Sequence, residues 1–504
     1  MSYPLEIATI LVYLIFLVFM GWVFTRFNRN VSDFVRGGGQ GAWWLVGASA
    51  LMSGISAFTF TGNASAVFDA GLTPLVIYAA NVAAFLFAGF FVAPWFRQTR
   101  AMTSSDILRE RFGPEVEQVM SYWGILMGAI AAAIWLWGLA TFSAAVFDLP
   151  LQGVIIGIGL VTLLYSATGG KWAVMATDFV QSLILFPITL LLAGLAIYQV
   201  GGFFEIFQAF QSADLADDFR LVKEGGQFDG NKFTWQWIAG IFVLQFFSQM
   251  NLSQASRYLA VKDGREARKA AFFAALLMAV GTLIWFTPPL VARILYADAV
   301  YAVNLKNPSE AAFAIAAIEL LPTGLLGLMM VAMFAATMSS MDSGLNNAAG
   351  LIVRNILPPL HRMFTGSDPS EKFGLWTGRI ATVCLGLAII GIASYFATLD
   401  DFGLFDSFLI IGSVLGLPSI IPLIYALFIR PLPRWSFFFI TLAGMIPSAW
   451  SVIDSHLFDA PWTVQERVFW IFLSGSLGTL ISIACFHRGL WVSEAFRARV
   501  KTFY

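Results

Sequence analysis

The sequence predicts an all-α polytopic membrane protein with about 13 transmembrane helices. The composition, the spacing of long apolar stretches and the charges of the loops support this fold class. Of the 504 residues, 59% are hydrophobic and 12% are charged, and the mean hydropathy is +0.78. Soluble domains carry about 25% charged residues. A chain this apolar is therefore expected to have the lipid bilayer as its main partner.

Apolar stretches long enough to cross a bilayer as a helix recur along the whole chain. They cover residues 5–26, 42–69, 73–96, 118–146, 151–168, 172–199, 234–256, 270–297, 324–353, 374–396, 402–429, 435–453 and 467–487. The first stretch lacks the charged leader and the cleavage site of a secretory signal. We therefore expect it to be a retained helix.

Lys and Arg residues are concentrated in every second connecting loop, as they are on the cytoplasmic side of membrane proteins. The basic loops are near residues 26–36, 97–111, 171, 257–269, 354–379, 430–434 and 488–501. The loops between them are acidic or neutral, and the longest carries Asp217, Asp218 and Glu224. This alternation predicts an N-out, C-in topology for a multi-pass protein of the cell inner (plasma) membrane.

Charge and cysteine content argue against several other classes of protein. The net charge is −1 and the isoelectric point is near 6.3, so a nucleic acid is an improbable partner. Cys384 and Cys485 lie in separate apolar runs, which suits reduced thiols better than a disulfide. The sequence has no constellation of nucleophile, base and metal ligands that would predict an enzyme.

The spans divide into two blocks around one long loop, within a single transporter domain that covers residues 1–504. Residues 42–199 and 234–429 each hold five spans, and the external loop 200–233 separates them. Because five is odd, the two blocks face opposite ways across the bilayer, as inverted repeats do. An extra N-terminal helix at 5–26 and two C-terminal helices within 435–487 complete the domain.

The first span of each block is interrupted by small and polar residues. Gly54 stands between Ser53 and Ser56 in the first block, and the second block opens with the polar segment 247–254. Glycine weakens a helix, and serine can satisfy the backbone groups that are released. We therefore expect broken helices here, although packing of small residues would give the same pattern.

A polar cluster lies within the apolar stretch 324–353. Ala336, Ser339, Ser340 and Ser343 recur at a spacing of three and four residues, so they share one helix face near Asp342. Polar side chains at this depth must face a partner helix, a cavity or an ion. A lone serine would more often be a small interface residue, but this cluster favours a functional site.

Four segments carry a resemblance to a known family: residues 48–59, Tyr165–Gln181, Arg257–Lys262 and Ala335–Ser343. On these segments the chain resembles the sodium:solute symporter family, which includes the proline, sialic acid and sodium/galactose transporters. The resemblance extends over residues 5–490 and implies the leucine-transporter-like 5+5 inverted repeat.

The resemblance also implies a sodium site, with Na⁺ as the coupling ion. Its ligands would be the backbone carbonyls of Met52, Ile55 and Ala336 and the hydroxyls of Ser339 and Ser340. Carbonyl and hydroxyl oxygens suit a small hard cation.

Three further residues are implied in cation transport: Asp178, Asp342 and Ser343. The resemblance places Asp178 near the sodium exit path or in a second cation site, and an ion pair with Lys171 is the alternative. Asp342 and Ser343 stand where some relatives have a second sodium site. A carboxylate there would either strengthen that site or replace it by protonation.

The solute-binding residues implied by the resemblance are Ser56, Thr59, Tyr78, Asn81, Asn251 and Ser253. All are hydrogen-bonding groups without charge. Neither the sugar pattern nor the proline pattern of the family is preserved, and we favour a small organic acid or amino acid over a sugar.

Together these inferences predict a sodium-coupled secondary active symporter that imports a small organic solute by alternating access. A proton-coupled symporter and a membrane sensor built on the transporter fold are the alternatives. A sensor is disfavoured because the sequence after the last span has no linker or signalling domain. The sequence leaves the solute, the ion ratio and the oligomeric state open.

Overall fold

The computed structural model describes residues 4–24, 37–166, 171–212, 215–250, 252–399, 403–429, 432–457 and 462–485. Within these ranges the regular elements are helices, and one isolated β-bridge joins Gly41 to Val261. The predicted all-α class is therefore confirmed.

The first half of the described chain contains eleven α-helices. They are α1 (Pro4–Phe24), α2 (Trp43–Met52), α3 (Ala57–Phe60), α4 (Gly62–Ala70), α5 (Val76–Phe87), α6 (Ala93–Gln98), α7 (Ser104–Phe112), α8 (Pro114–Phe147), α9 (Leu151–Ser166), α10 (Lys171–Val200) and α11 (Phe203–Ser212). The last of these lies inside the segment 200–233 that the sequence predicts as a loop, so part of that connection is helical.

The second half contains twelve further α-helices within the described ranges. They are α12 (Trp235–Ser248), α13 (Leu252–Tyr258), α14 (Gly264–Leu295), α15 (Ala297–Tyr301), α16 (Ala312–Leu320), α17 (Leu325–Leu351), α18 (Leu357–Thr365), α19 (Glu371–Phe396), α20 (Leu404–Ile411), α21 (Leu417–Phe428), α22 (Ser436–Leu457) and α23 (Val464–Cys485). Short π-helical turns at Ile352–Ile356 and Gly412–Gly416 join α17 to α18 and α20 to α21.

Nine helices in the described part of the chain are long and apolar enough to cross a membrane. A tenth candidate span is a bent pair, in which α2 and the segment Ala57–Ala70 meet at 54°. Three shorter apolar helices cover Pro4–Phe16, Leu151–Leu164 and Trp235–Ser248. The chain is thus a multi-pass membrane protein.

The bend lies where the sequence predicts an unwound turn. Helix α2 ends at Met52, and α3 begins at Ala57. The Ser56 hydroxyl accepts a hydrogen bond from the Phe58 amide at 3.2 Å, which caps the new helix. Gly54, between the two helices, weakens helical continuity, so the break has a local cause in the sequence.

Helix α17 lies at the centre of the bundle. In its most apolar window, the span Leu325–Thr365 is 89% buried, whereas α19 is only 22% buried. It packs against α1, α8 and α10. Protein therefore surrounds the polar residues of α17, which explains how they are tolerated at the depth of the bilayer.

Candidate functional site

The Ser340 hydroxyl lies among carbonyl oxygens from two helices. Its Oγ is 2.7 Å from the Ile55 carbonyl oxygen and 3.2 Å from that of Met52. The carbonyl oxygens of Ala336 and Ser53 lie 3.3 and 3.4 Å away. The break after α2 and the centre of α17 are thereby brought into direct contact.

This arrangement concentrates acceptor oxygens in a buried place. A hydroxyl has one proton to donate, so it satisfies only one of the four surrounding carbonyls at a time. Ser339 lies beside it with a buried Oγ that has no hydrogen-bond partner among the described residues. Several uncharged oxygens that converge on one hydroxyl are a favourable environment for a small hard cation.

The unwound turn makes these carbonyls available. The Met52 carbonyl accepts a long hydrogen bond of 3.3 Å from the Ile55 amide, in addition to its contact with the Ser340 hydroxyl. At the start of α3, the Ala57 amide donates to the Thr337 hydroxyl at 2.8 Å. Helix α17 therefore contacts both sides of the break. Thr337 accepts a hydrogen bond from a backbone amide on one side, and Ser340 donates to backbone carbonyls on the other.

Helix α8 supports the break from a third direction, through Gly138. A Cβ added at this glycine would lie 3.0 Å from the Phe58 nitrogen and 3.1 Å from the Phe58 Cα. Those are backbone atoms, which cannot rotate away as a side chain does. A glycine is therefore needed for the close approach of α8 to α3.

Asp178 on α10 lies in a buried ion pair with Arg257 of α13. The guanidinium Nη1 is 3.3 Å from Asp178 Oδ2, and the two side chains are 2% and 0% exposed. The Ser49 hydroxyl on α2 hydrogen-bonds to both side chains. The side chain of Lys171, the alternative partner for Asp178, lies outside the described residues.

Asp342 and Ser343 lie on the buried surface of α17. Asp342 is 3% exposed, and its charge also acts on Arg257. Ser343 has a buried Oγ with no hydrogen-bond partner among the described residues. The Arg257 charge is thus attracted to both Asp178 and Asp342, the two carboxylates that the sequence associates with a second cation.

Three of the predicted solute-binding residues lie near the break and are buried. The Tyr78 hydroxyl donates to Thr59 Oγ1 at 3.0 Å and accepts from the Asn63 amide at 2.8 Å. Ser56 caps α3, as described above. These groups hydrogen-bond to protein groups, and Asn63 joins them although it was not predicted.

Some buried acceptors in this region have no partner in the described part of the chain. They include Asn63 Oδ1 and Asn81 Oδ1, whose side chains are 4% and 6% exposed. Asn81 lies three residues after Tyr78 and therefore on the same side of α5. Asn251 is outside the described residues, and so is the side chain of Ser253.

Some of the residues that the prediction missed could have been found from helical spacing in the sequence, and others could not. Thr337 lies three residues before Ser340, so helical spacing already places it on the same face. Asn63 follows Thr59 by four residues in the same way. Ser49 and Arg257 have no such signal, because their link to Asp178 joins segments 129 and 79 residues apart.

Another buried carboxylate lies in the loop between α15 and α16. Glu310 Oε1 accepts from the Leu404 amide at 2.9 Å and from Asn307 at 3.4 Å. Burial raises the Glu310 pKa to about 7, and the nearby carboxylates of Asp406 and Asp69 act in the same direction. This loop is thereby attached to the first residue of α20.

Comparison with known sequences identifies relatives. The profile of the sodium:solute symporter family matches residues 34–434. The human sodium/myo-inositol cotransporter 2 is 27% identical over 77% of this chain, but the match spans only 60% of that protein's length. The sodium/sialic acid symporter NanT of Aliivibrio fischeri is 23% identical, over 95% of this chain and 91% of its own length.

Solved structures show the same fold. A substrate-bound, outward-open Na⁺-coupled sialic acid symporter superposes with a TM-score of 0.80 at 19% identity, covering 96% of this chain and 98% of its own. Mhp1, a nucleobase-cation-symport-1 family transporter, has a TM-score of 0.57 at 13% identity, covering 93% of this chain and 98% of its own. At these identities the likeness shows the fold alone.

Proposed function

Because the chain belongs to the sodium:solute symporter family, we propose that it is a sodium-coupled symporter that imports a small organic solute by alternating access. The observation that carries this proposal is the convergence of carbonyls at 2.7 to 3.4 Å on the Ser340 hydroxyl. The sodium ligands are the carbonyls of Met52, Ile55 and Ala336 with the hydroxyls of Ser339 and Ser340.

In this mechanism sodium binds between the break after α2 and the centre of α17. The ion draws together oxygens from both elements and so stabilises one arrangement of the broken helix. Since the ligands are neutral, the ion is held without a strong charge partner and can leave on the cytoplasmic side. Ser53 and Thr337 act as supporting residues that hold the turn.

The proposed topology has thirteen spans, N-out and C-in, in the plasma membrane. Its count combines the nine long helices, the bent pair and the three shorter apolar helices. The 5+5 inverted repeat occupies residues 42–199 and 234–429, flanked by α1 and by the two C-terminal helices.

The solute, in our proposal, carries N–H or O–H donors. The acceptors Asn63 Oδ1 and Asn81 Oδ1 are buried and lack partners in the described part of the chain, and leaving them unpaired costs about 1–3 kcal/mol each. An amino acid supplies an ammonium donor and a plain carboxylate supplies none. A hydroxylated solute is the second candidate, because hydroxyl groups donate equally well.

A second cation site would use Asp178, Asp342 and Ser343. Arg257 already supplies one positive charge to this region, since it pairs with Asp178 and feels the charge of Asp342. A second sodium or a proton would therefore compete with the guanidinium, so its binding accompanies a movement of α13 away from α10.

The experiment that tests the function has two parts. First, the thermal unfolding temperature of the purified protein is measured in sodium and in potassium chloride at equal ionic strength; specific binding to the folded state raises it only in sodium. Second, proteoliposomes with an imposed sodium gradient are screened with amino acids, carboxylates and polyols. Uptake that follows a proton gradient alone would favour the proton-coupled alternative, and sodium-dependent ligand binding without any uptake would favour a sensor.

A further inference from the structure

A cavity of 1040 Å³ lies at the N-terminal ends of α12 and α23. None of the residues assigned above to sodium or solute lines it. Its walls are the first turns of the two helices, from Trp235 to Val243 and from Gln465 to Ser476, and the loop before α12 closes one end. The volume is at the upper limit of the about 300 to 1,000 Å³ that small-molecule sites occupy.

The lining changes from polar to apolar along the cavity. Polar side chains from the loop and the first helical turns lie at one end: Lys223, Asn231, Gln236, Gln465 and Glu466. The residues further along both helices are mostly apolar and include Val243, Phe472 and Leu473. Trp235 and Trp470, which are 67% and 47% exposed, also line the cavity. Tryptophans in membrane proteins concentrate at the boundary between water and hydrocarbon.

The polar end contains charges of both signs and an acceptor without a partner. Lys223 is 3% exposed, and its ammonium donates to the Arg220 carbonyl at 2.5 Å, which uses one of its three donors. Glu466 carries the opposite charge. Gln465 donates through Nε2 to the Gly230 carbonyl, whereas its Oε1 is buried and has no partner in the described part of the chain.

We propose that this cavity binds a membrane phospholipid with a zwitterionic, primary-amine headgroup. One acyl chain lies between α12 and α23 against Val243 and Phe472. The phosphate lies near Lys223, and the ammonium donates toward Glu466 and Gln465 Oε1. An anionic headgroup would leave Glu466 facing a negative charge, and a quaternary ammonium has no N–H for Gln465.

The small residues of α12 make room for the chain. At Gly240 the two helices touch, since an added Cβ would lie 3.1 Å from the Gln465 Cα. The cavity lies beside this contact at Ala239 and continues along α23 to Ser476, whose hydroxyl is 2.6 Å from the Tyr425 hydroxyl. A larger side chain at Ala239 is therefore expected to fill the cavity without moving the helix contact.

The test uses tryptophan quenching by lipids with brominated acyl chains. The full-length protein is reconstituted in phosphatidylcholine with a rising fraction of brominated phosphatidylethanolamine. The difference in fluorescence between the wild type and Trp470→Phe isolates the signal of Trp470. The difference from Trp376→Phe isolates Trp376, which is 63% exposed on α19 and serves as a matched control.

We expect Trp470 to be half-quenched at a several-fold lower lipid fraction than Trp376. Ala239→Phe should bring the two tryptophans to the same fraction in protein that still purifies as a folded species. Glu466→Gln keeps the acceptor for Thr463 and should reduce the preference over brominated phosphatidylcholine. Equal quenching of both tryptophans in the wild type would mean that only boundary lipid is present. Protection of Trp470 from both lipids would mean that a protein partner covers the cavity. Either result overturns the proposal, which depends on the membrane-spanning fold and not on sodium coupling.

Discussion

The Arg257 guanidinium lies 3.3 Å from the Asp178 carboxylate, and both side chains are almost entirely buried. The pair joins α10 to α13, and the Ser49 hydroxyl adds α2 to the same contact. One charge pair therefore holds together three helices, of which α2 and α10 belong to the first proposed repeat and α13 to the second. Such a contact is stable only while both charges are present.

Replacing Asp178 by Asn should strongly destabilise the protein, because it removes the carboxylate that pairs directly with the buried Arg257 guanidinium. Breaking a buried pair in this way typically costs about 3–5 kcal/mol. The exposed pair of Arg362 and Asp368, at 58% and 68% exposure, is the matched control. Asp368→Asn should cost about 0–1 kcal/mol. Thermal unfolding of both variants measures the difference, and similar losses in the two would contradict the buried charge pair.

Ser340→Ala should raise the sodium concentration needed for half-maximal stabilisation or uptake. The lost contact between the hydroxyl oxygen and the cation should be comparable with a hydrogen bond to a charged group, about 1.5–3 kcal/mol, which corresponds to roughly tenfold or more in affinity. Ser339→Ala is expected to act in the same direction.

The control for this pair is Ser482→Ala on α23. Ser482 is also fully buried, but its hydroxyl is bonded within its own helix, to the Gly478 carbonyl at 2.8 Å. Its sodium dependence should match the wild type. An unchanged sodium dependence in both Ser339→Ala and Ser340→Ala would remove these residues from the site.

The helices and the break could be predicted because their signals are local. A run of apolar residues long enough to span a membrane is visible without any tertiary information. Gly54 with its flanking serines likewise marks the break within a few residues of sequence. The helical face shared by Ala336, Ser339 and Ser340 follows from spacing alone.

The contacts between distant segments could not be predicted in the same way. The ion pair of Asp178 joins residues 79 apart, and Asn63 reaches Tyr78 from a neighbouring helix. Nothing in the composition distinguishes Arg257 from the basic residues that follow it in the sequence. The cost of an unpaired buried charge becomes visible only when the packing of α10, α2 and α13 is known.

Gly138→Ala should destabilise the protein and weaken sodium binding. The new methyl group would lie 3.0 Å from the Phe58 nitrogen, so α3 must shift away from α8. Overpacking of this kind costs about 1–3 kcal/mol. Gly128→Ala on the same helix is the control, since an added Cβ there has nothing within 4 Å. Thermal stability and sodium titration should separate the two variants, and equal behaviour would show that α8 does not restrain the break.

Glu310 should make stability depend on pH. Burial raises its pKa from the ordinary 4.5 to about 7 in the folded protein. Between these two values the folded state holds the proton more tightly than the unfolded state does. The stabilisation is therefore fully present below about pH 4.5 and is lost as the pH rises to about 7. At about 1.4 kcal/mol per unit, the loss amounts to about 3 kcal/mol.

Glu310→Gln tests this because the amide oxygen can still accept from the Leu404 amide but does not titrate. The unfolding temperature of the wild type should fall relative to the variant between about pH 4.5 and 7 and run parallel to it at higher pH. The titratable neighbours Asp69 and Asp406 are unchanged in both proteins, as is the ion pair of Lys232 with Asp406 at 2.7 Å. Glu205→Gln, at an exposed position on α11, should keep the wild-type slope. Parallel curves for the wild type and Glu310→Gln throughout this range would show that the loop is attached to α20 without a titrating carboxylate.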